Sequence, residues 1–405
     1  MDAVIIVDIM STGYKYLDLC EKYEFTPIHI RSDLNTPSIG QEVVQEKIYD
    51  ASIDYSFLKE MNVIAIIPGC EKGVPLADFI SEELGINNCN DYQLTEARWN
   101  KFLMGRALEE RHVRAVKGQL ISNVDELRAW HQKNLSTSVM KPIRNAASDK
   151  VFLYEGFDKG KKLFEETTAG ENIFGNQINS VVVQEYVEGI QYFVNTVSCD
   201  GFHVVTDIWK LNRERNEEGA FFFEDMSLEP AQDEKMIDYV FSCLDALGVR
   251  YGACHSEVIF DKDGFVLIET NSRLMGASIS DEAFSKACPI LQHEASFMSY
   301  VTPDVFLATY KDFVYKTNGR LAEVSFYIRE NGILKTMPAI EEIEKMDSFV
   351  CFSGLPVAFS KVEKDYSSLG TGGFAYLFSN NQEVINNDLK RIANLKKAQE
   401  IFTIV

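Results

Sequence analysis

The densest concentration of side chains able to do chemistry runs from His255 to Arg273: His255-Ser256-Glu257, a turn at Asp263-Gly264, then Glu269-Thr270-Asn271-Ser272-Arg273. Apolar residues flank Asp263-Gly264 on both sides, the signal of a β-hairpin. Opposite residues of an antiparallel pair project from the same side of the sheet, so loop length decides which side chains meet. A two-residue loop sets Glu257 opposite Thr270. A three-residue loop of Lys262, Asp263 and Gly264, with Gly264 left-handed, sets it opposite Glu269 and puts both carboxylates on one face. Asn271, two residues beyond Glu269, joins that face. Two carboxylates and a carboxamide oxygen are costly to bury alone, yet they suit a hard divalent cation such as Mg²⁺, which takes oxygen ligands and shares substrate phosphates. The plainer reading is a hairpin whose Glu269 and Asn271 simply reach solvent at the strand end. Glu257, His255 and Arg273 in register favour the metal. His255 shares the face of Glu257 and reads equally well as a hydrogen-bonded core histidine.

The elements around this hairpin follow from the apolar pattern. Over the first ninety residues short apolar runs at 4–9, 28–30 and 63–67 alternate with helical patterns at 14–23 and 76–84, which argues for a parallel sheet with helices packed on it. Two loops follow strands here, Ser11-Thr12-Gly13 and Pro68-Gly69-Cys70-Glu71-Lys72-Gly73. Strand C-termini are where open sheets bind ligands, but neither loop has a dinucleotide glycine fingerprint and both read as plain turns. A polar stretch at 87–94 marks a boundary. A helix over 96–111 then puts Trp99, Phe102, Leu103 and Ala107 on one face and leaves Lys101 off it. Asn123 and Glu126 have capping-box spacing for another helix. Strands recur at 137–141, 151–154, 181–184, 192–198 and 202–210, as an antiparallel sheet with flanking helices. From about Asp312 the chain opens with a strand at 321–329 and closes with a helix over 382–397. The charge runs at 212–218 and 341–347 read as a solvated loop and a solvated helix face.

Composition bounds the function. At 405 residues the chain exceeds the roughly 250–300 residues at which one core stops growing, so two or three domains are expected. Forty Lys+Arg against 61 Asp+Glu give a formal charge of −21, a field that repels phosphate backbones and anionic lipid, so neither nucleic acid nor membrane is an expected partner. A bound nucleotide is still compatible, because a few basic side chains in one cleft outweigh distant, screened charge. The eight cysteines are scattered without a C-x-x-C pair and read as reduced, mostly buried thiols. The early acidic residue and short apolar run at the N-terminus do not suit a signal sequence, and no uncharged apolar run approaches the roughly 18 residues of a membrane span. A cytoplasmic protein is expected.

Taken together, these segments resemble the ATP-grasp carboxylate–amine ligases. The hairpin is similar to their metal-binding end. Asn100-Lys101-Phe102-Leu103-Met104 resembles the helix whose lysine reaches the ATP phosphates, and Val139-Met140-Lys141-Pro142 the strand whose lysine contacts the same phosphates. Asn145-Ala146-Ala147-Ser148-Asp149 resembles the small-residue loop that folds over them, with Ser148 a contact. Val182-Val183-Gln184-Glu185-Tyr186-Val187-Glu188-Gly189 resembles the hinge that binds adenine, through Gln184 and backbone groups of Glu185 and Val187. Two departures stand out: the loop between Arg144 and Lys150 has no glycine, and Gln191 stands where the family commonly has a glutamate for the ribose hydroxyls, although an amide accepts the same hydrogen bond. Ile66–Val74, Val205-Thr206-Asp207-Ile208-Trp209-Lys210 and the tail from Leu321, with Gly354 and Gly370-Thr371-Gly372-Gly373, resemble the bacterial L-amino-acid ligases of the bacilysin and dapdiamide types.

The resemblance implies a mixed α/β and α+β ATP-grasp fold: an N-terminal parallel α/β domain over 1–92, an ATP-grasp domain over 93–312 with a mobile nucleotide-clasping lobe at about 115–190, and a C-terminal α+β domain over 313–405. It implies ATP and Mg²⁺, or Mn²⁺ in its place, with Glu257, Glu269 and Asn271 on the metal and Lys101 and Lys141 on the phosphates. Arg273 would stabilise the acyl phosphate, Lys210 would add positive charge near the γ-phosphate, and His255 would complete the catalytic set. The implied reaction joins a carboxylate to an amine, both small molecules, through an acyl phosphate. Alternatives are a biotin-carboxylase-like step and an inactive nucleotide-binding regulator. Trp209, Phe221–Phe223 and Met275 read either as an acyl pocket or as core. A homodimer is the base expectation.

Overall fold

The structure, a computed structural model, describes residues 1–40, 43, 45–49, 58, 61–145, 149–215, 221–276, 280–365 and 372–405. Ala3 to Val7 are all fully buried, as a central parallel strand covered on both faces requires. The strands Gln45–Ile48, Thr26–Arg31, Asp2–Val7 and Asn62–Pro68 lie side by side in that order, all parallel, with helices Lys15–Lys22 and Val74–Leu84 against them. This is the sheet expected from the alternation of apolar runs and helices.

The middle of the chain departs from expectation. Its strands do not form one sheet. Gly118–Ile121, Val181–Glu185, Ser138–Pro142 and Phe152–Tyr154 make a separate four-stranded antiparallel sheet. Helices Val124–Lys133 and Phe157–Thr168 cover it, burying Leu127, Trp130, Met140, Tyr154 and Phe164 together. The strands Ile190–Cys199 and Phe202–Arg215 belong instead to an eight-stranded antiparallel sheet. Its order is Gly264–Asn271, Gly252–Asp261, Ile190–Cys199, Phe202–Arg215, Phe221–Leu228, Arg320–Ser325, Phe374–Ser379, Phe349–Ser353. The chain crosses between the sheets at 186–189. The last three strands of the large sheet come from the C-terminal part of the chain, where helix Gln382–Lys397 buries Ile385 and Ile392.

The expected helix over 96–111 is two helices, Thr95–Trp99 and Lys101–Glu110, broken at Asn100. Asn100 has an extended backbone, and its side chain accepts from the amides of Phe102 and Leu103 at 3.0 and 3.2 Å. An asparagine in that role satisfies two of the amides a new helix leaves bare. The break makes Lys101 the first residue of the second helix and buries it, instead of leaving it on a solvated flank. Asn123 caps its helix as expected, accepting from Glu126 N, while Glu126 accepts from Ser122 N at 2.7 Å.

Arg98 ties the N-terminal sheet to the rest. It is 1% exposed and donates to Asp78 Oδ2 and to the Leu247 carbonyl at 2.7 Å each, and to the Asp91 carbonyl at 2.8 Å. All eight cysteines are free thiols, and among the described residues no helix is long and apolar enough to cross a membrane. Replacing Arg98 with alanine strands the buried Asp78 carboxylate, and the expected loss is about 3–5 kcal/mol, read as a lowered denaturant midpoint.

Candidate functional site

The hairpin brings Glu257 opposite Glu269 and His255 opposite Asn271. The register is the one that places both carboxylates on one face, but the turn achieves it differently. Lys262 and Asp263 alone form the loop, Asp261 pairs with Gly264 at φ +109°, and an extra residue, Ile268, is inserted between Leu267 and Glu269. A tight two-residue turn alone would set Glu257 against Ile268; the bulge shifts the register by one and restores the carboxylate pair. The rung continues across the sheet, because Glu257 pairs with Phe193 and Phe193 with Trp209. Two rungs along, on the same face, Asn271, His255, Asn195 and Asp207 stand in a second row.

Two ammonium groups face the carboxylates from outside the large sheet. Lys101 is buried and donates to Glu269 Oε1 at 2.9 Å and to the Asn145 carbonyl at 2.7 Å. Lys141, equally buried in its strand of the small sheet, reaches the Ile268 carbonyl at 3.5 Å. Asn271 Nδ2 lies 3.1 Å from Glu269 Oε1, and Gln191 Nε2 donates to Glu257 Oε2 at 2.8 Å. The charges perturb one another in the sense their positions dictate. Burial works to raise the Glu269 carboxyl, but Lys101 and Lys141 outweigh it and hold it below the usual range. Burial alone would depress Lys101, yet Glu269 and Glu71 keep it above its ordinary value. Lys141 has no such tight partner: burial, helped by the charge of Lys101, lowers it to about 8. Among the described residues no three acidic, histidine or cysteine side chains cluster as a metal cage. Two carboxylates and a carboxamide open to a cleft are still the oxygen set that suits Mg²⁺, which completes its shell with water and phosphate oxygens.

Gln184, Glu185, Val187 and Gln191 line the same cavity as Lys101, Lys141, His255, Glu257, Glu269, Asn271 and Arg273. Val116, Val139, Ile259 and Ile268 supply apolar walls beside them. The hinge is held by backbone bonds from Glu185 N to the Lys117 carbonyl and from Tyr186 N to the Thr137 carbonyl. Ser148 and its neighbours 146 and 147 lie outside the described residues.

Lys210 does not join the site. It is exposed and absent from the cavity wall, because Trp209 and Leu211 occupy the cavity-side face of their strand and alternation sends the residue between them to the other side. Trp209 is core as well, its indole N–H donating to the buried Asp207, whereas Phe223 and Met275 line the cavity. Asp207 also accepts from Asn195 Nδ2, which turns Asn195 Oδ1 toward His255 Nδ1 at 2.8 Å. The imidazole proton therefore sits on Nδ1, and Nε2 faces Glu257 Oε1 at 3.7 Å.

Three charged residues that the sequence did not single out line the cavity. Glu71, in the loop read as a plain turn, meets Arg273 Nη2 at 3.2 Å. It arrives from the N-terminal sheet because Gly73 packs where a Cβ would lie 2.5 Å from the Val7 carbonyl. Burial, reinforced by Glu269, raises the Glu71 carboxyl against the pull of Arg273. Arg213, placed by the charge run in a solvated loop, belongs to the long strand Phe202–Arg215, and Glu323 to Arg320–Ser325. The signals for Glu71 were its loop's position after a parallel strand and the resemblance of the segment around it; no pattern in the sequence marked Arg213 or Glu323 as a cavity residue.

Residues 99–277 match the family described as the ATP-grasp domain. Dapdiamide A synthase of Enterobacter agglomerans is 26% identical over 319 residues, 73% of this chain and 75% of that protein. A crystal structure of an L-amino acid ligase from Bacillus licheniformis superposes with a TM-score of 0.75 at 12% identity, over 100% of this chain and 98% of that one. The biotin carboxylase domain of the Hydrogenobacter thermophilus 2-oxoglutarate carboxylase, solved with MgADP, gives 0.64 at 13% identity over 99% of this chain and 90% of that one. The chain has the ATP-grasp fold, and residues 99–277, the part that matches the ATP-grasp domain family, carry the paired carboxylates and both buried lysines.

Proposed function

We propose that the protein is an ATP-dependent ligase that activates a carboxylate, that of an amino acid, as an acyl phosphate and joins it to the amine of a second small molecule. The products are a dipeptide or related amide, ADP and phosphate. The observation that carries this reading is the single rung holding Glu257 and Glu269 side by side, faced by two buried lysines from another sheet and another helix, with Arg273 at the strand end. A folding core has no use for four such charges, whereas phosphoryl transfer needs charge neutralised more than it needs a nucleophilic side chain. The likeness to proteins named as a dapdiamide synthase and an L-amino acid ligase supports the same reaction class.

In this reading Lys101 and Lys141 hold phosphate oxygens, and Lys101 exchanges its contact with Glu269 for one with phosphate. Glu257, Glu269 and Asn271 would hold Mg²⁺, or Mn²⁺ in its place, which when bound screens the phosphates during transfer. The purine lies against the apolar walls at Val116, Val139, Ile259 and Ile268 and the hinge at Glu185 and Val187, beside Gln184. Gln191, whose amide nitrogen is turned to Glu257, offers its oxygen to a ribose hydroxyl. Arg273 neutralises the acyl phosphate and the oxyanion formed as the amine adds. His255, with Nε2 toward the site, takes the proton that the amine loses.

The direct test is phosphate release from ATP and Mg²⁺ with pooled amino acids. Release that needs a carboxylate and an amine together supports the ligase, and equal release with the carboxylate alone overturns it. Glu269→Gln should lower turnover by about 10²–10³-fold while circular dichroism still reports the native fold; a fully active variant would remove Glu269 from the metal site. Lys141 is charged below about 8 and neutral above it, so ATP affinity should hold at lower pH and fall as pH rises through that value. Lys141→Arg, charged throughout, should flatten the profile in a nucleotide titration between acid and alkaline buffers.

A further inference from the structure

Ile268 and Glu269 are consecutive in one strand, yet both line the cavity, where plain alternation would send one of them to the opposite face. Ile268 belongs to the apolar walls and Glu269 faces the lysines, and the bulge is what lets the strand Gly264–Asn271 supply both. A bulge leaves its extra residue out of the ladder, so the strand needs another hold at that point. Gly264–Asn271 is also the edge of the large sheet, and among the described residues a full strand pairs with it on one side alone.

Helix Glu234–Ala246 supplies that hold. The Tyr239 hydroxyl accepts from Leu267 N at 2.7 Å, directly before the inserted residue, and donates to the Arg114 carbonyl at 2.7 Å. Ala115 adds an isolated bridge to Leu267. The Arg114 guanidinium grips the turn of the same hairpin: it donates to both Asp261 carboxylate oxygens, at 2.9 and 2.6 Å, and to the Gly264 carbonyl at 3.0 Å. Turn and bulge are therefore tied to one short segment by a guanidinium and a phenol. Tyr239 is not part of the cavity wall, and its hydroxyl is bonded to backbone groups of Leu267 and Arg114, so its effect on the site must pass through the backbone at Leu267.

We propose that Tyr239 is a positioning residue for Glu269: its hydroxyl holds the bulge in the form that presents this carboxylate to Mg²⁺ beside Glu257. The inference rests on the metal reading given above, and ADP binding measured by calorimetry with and without Mg²⁺ separates the two. The wild-type chain should bind ADP more tightly with Mg²⁺, and Glu269→Gln should remove that gain. Tyr239→Phe, which deletes the hydroxyl and keeps the ring, should cut the gain roughly 3- to 10-fold, the worth of one hydrogen bond, while ADP alone binds as before. Coupling between two events is reciprocal, so Mg²⁺ with ADP should slow hydrogen exchange at the Leu267 amide of the wild-type chain beyond what ADP alone does. That measurement needs no variant and decides alone if Tyr239→Phe fails to fold, unchanged exchange then overturning the inference. A Tyr239→Phe chain that keeps the whole gain, or that loses ADP affinity equally with and without Mg²⁺, makes Tyr239 a structural residue only; the inference is then wrong and the Glu269→Gln result leaves the metal reading standing. If Mg²⁺ does not tighten ADP binding in the wild type, or Glu269→Gln keeps the gain in full, the metal reading fails and takes the inference with it.

Discussion

Two carboxylates on neighbouring strands of one rung repel each other, and the fold answers that repulsion from outside the sheet that creates it. Glu257 and Glu269 belong to the large sheet; Lys101 comes from a helix start and Lys141 from the small sheet. Neither lysine could reach the pair if the helix ran unbroken through Asn100, or if the chain between the two sheets failed to bring the small sheet over the hairpin. The division of the middle of the chain into two sheets is thus what gives the carboxylates their counter-charges. It also leaves an opening between them where a nucleotide fits.

In this arrangement the two lysines are not equivalent. Lys101 is locked by a carboxylate and a carbonyl, so its charge is secured by the protein. Lys141 is buried with a single long contact to a carbonyl, and part of its burial cost is unmet until an anion arrives. On the proposed reading, one lysine keeps the unliganded site intact, and the other would supply the drive for phosphate to enter.

Much of the site was legible in the sequence because it lies on one hairpin. The spacing of Glu257, Glu269 and Asn271 around Asp263-Gly264 offered a common face under one of two loop lengths, and the structure gives that face through a bulge at Ile268 that no turn rule anticipates. The parallel sheet was legible in the uninterrupted apolar runs. Lys210 misled because its surrounding segment, and not its own place in the strand, suggested a role; the apolar Trp209 and Leu211 on either side already marked it as facing away. Glu71, Arg213 and Glu323 were hidden for a different reason. Their neighbours in the cavity are far along the chain, with Glu71 and Arg273 separated by 202 positions, and no local pattern records such a meeting. The single sheet expected over 137–210 failed for the same reason, since alternation shows that strands exist and not which sheet receives them.

The meeting of Glu71 with Arg273 bears on how such a protein can be taken apart or recombined. The segment 99–277 carries its own lysines and carboxylates, yet the guanidinium at its edge is oriented by a loop of the preceding sheet, and part of the cavity is walled by strands contributed after residue 319. A chimaera that transplants the module alone would inherit the nucleotide clasp without the parts that aim it, so the smallest interchangeable piece of this molecule is close to the entire polypeptide.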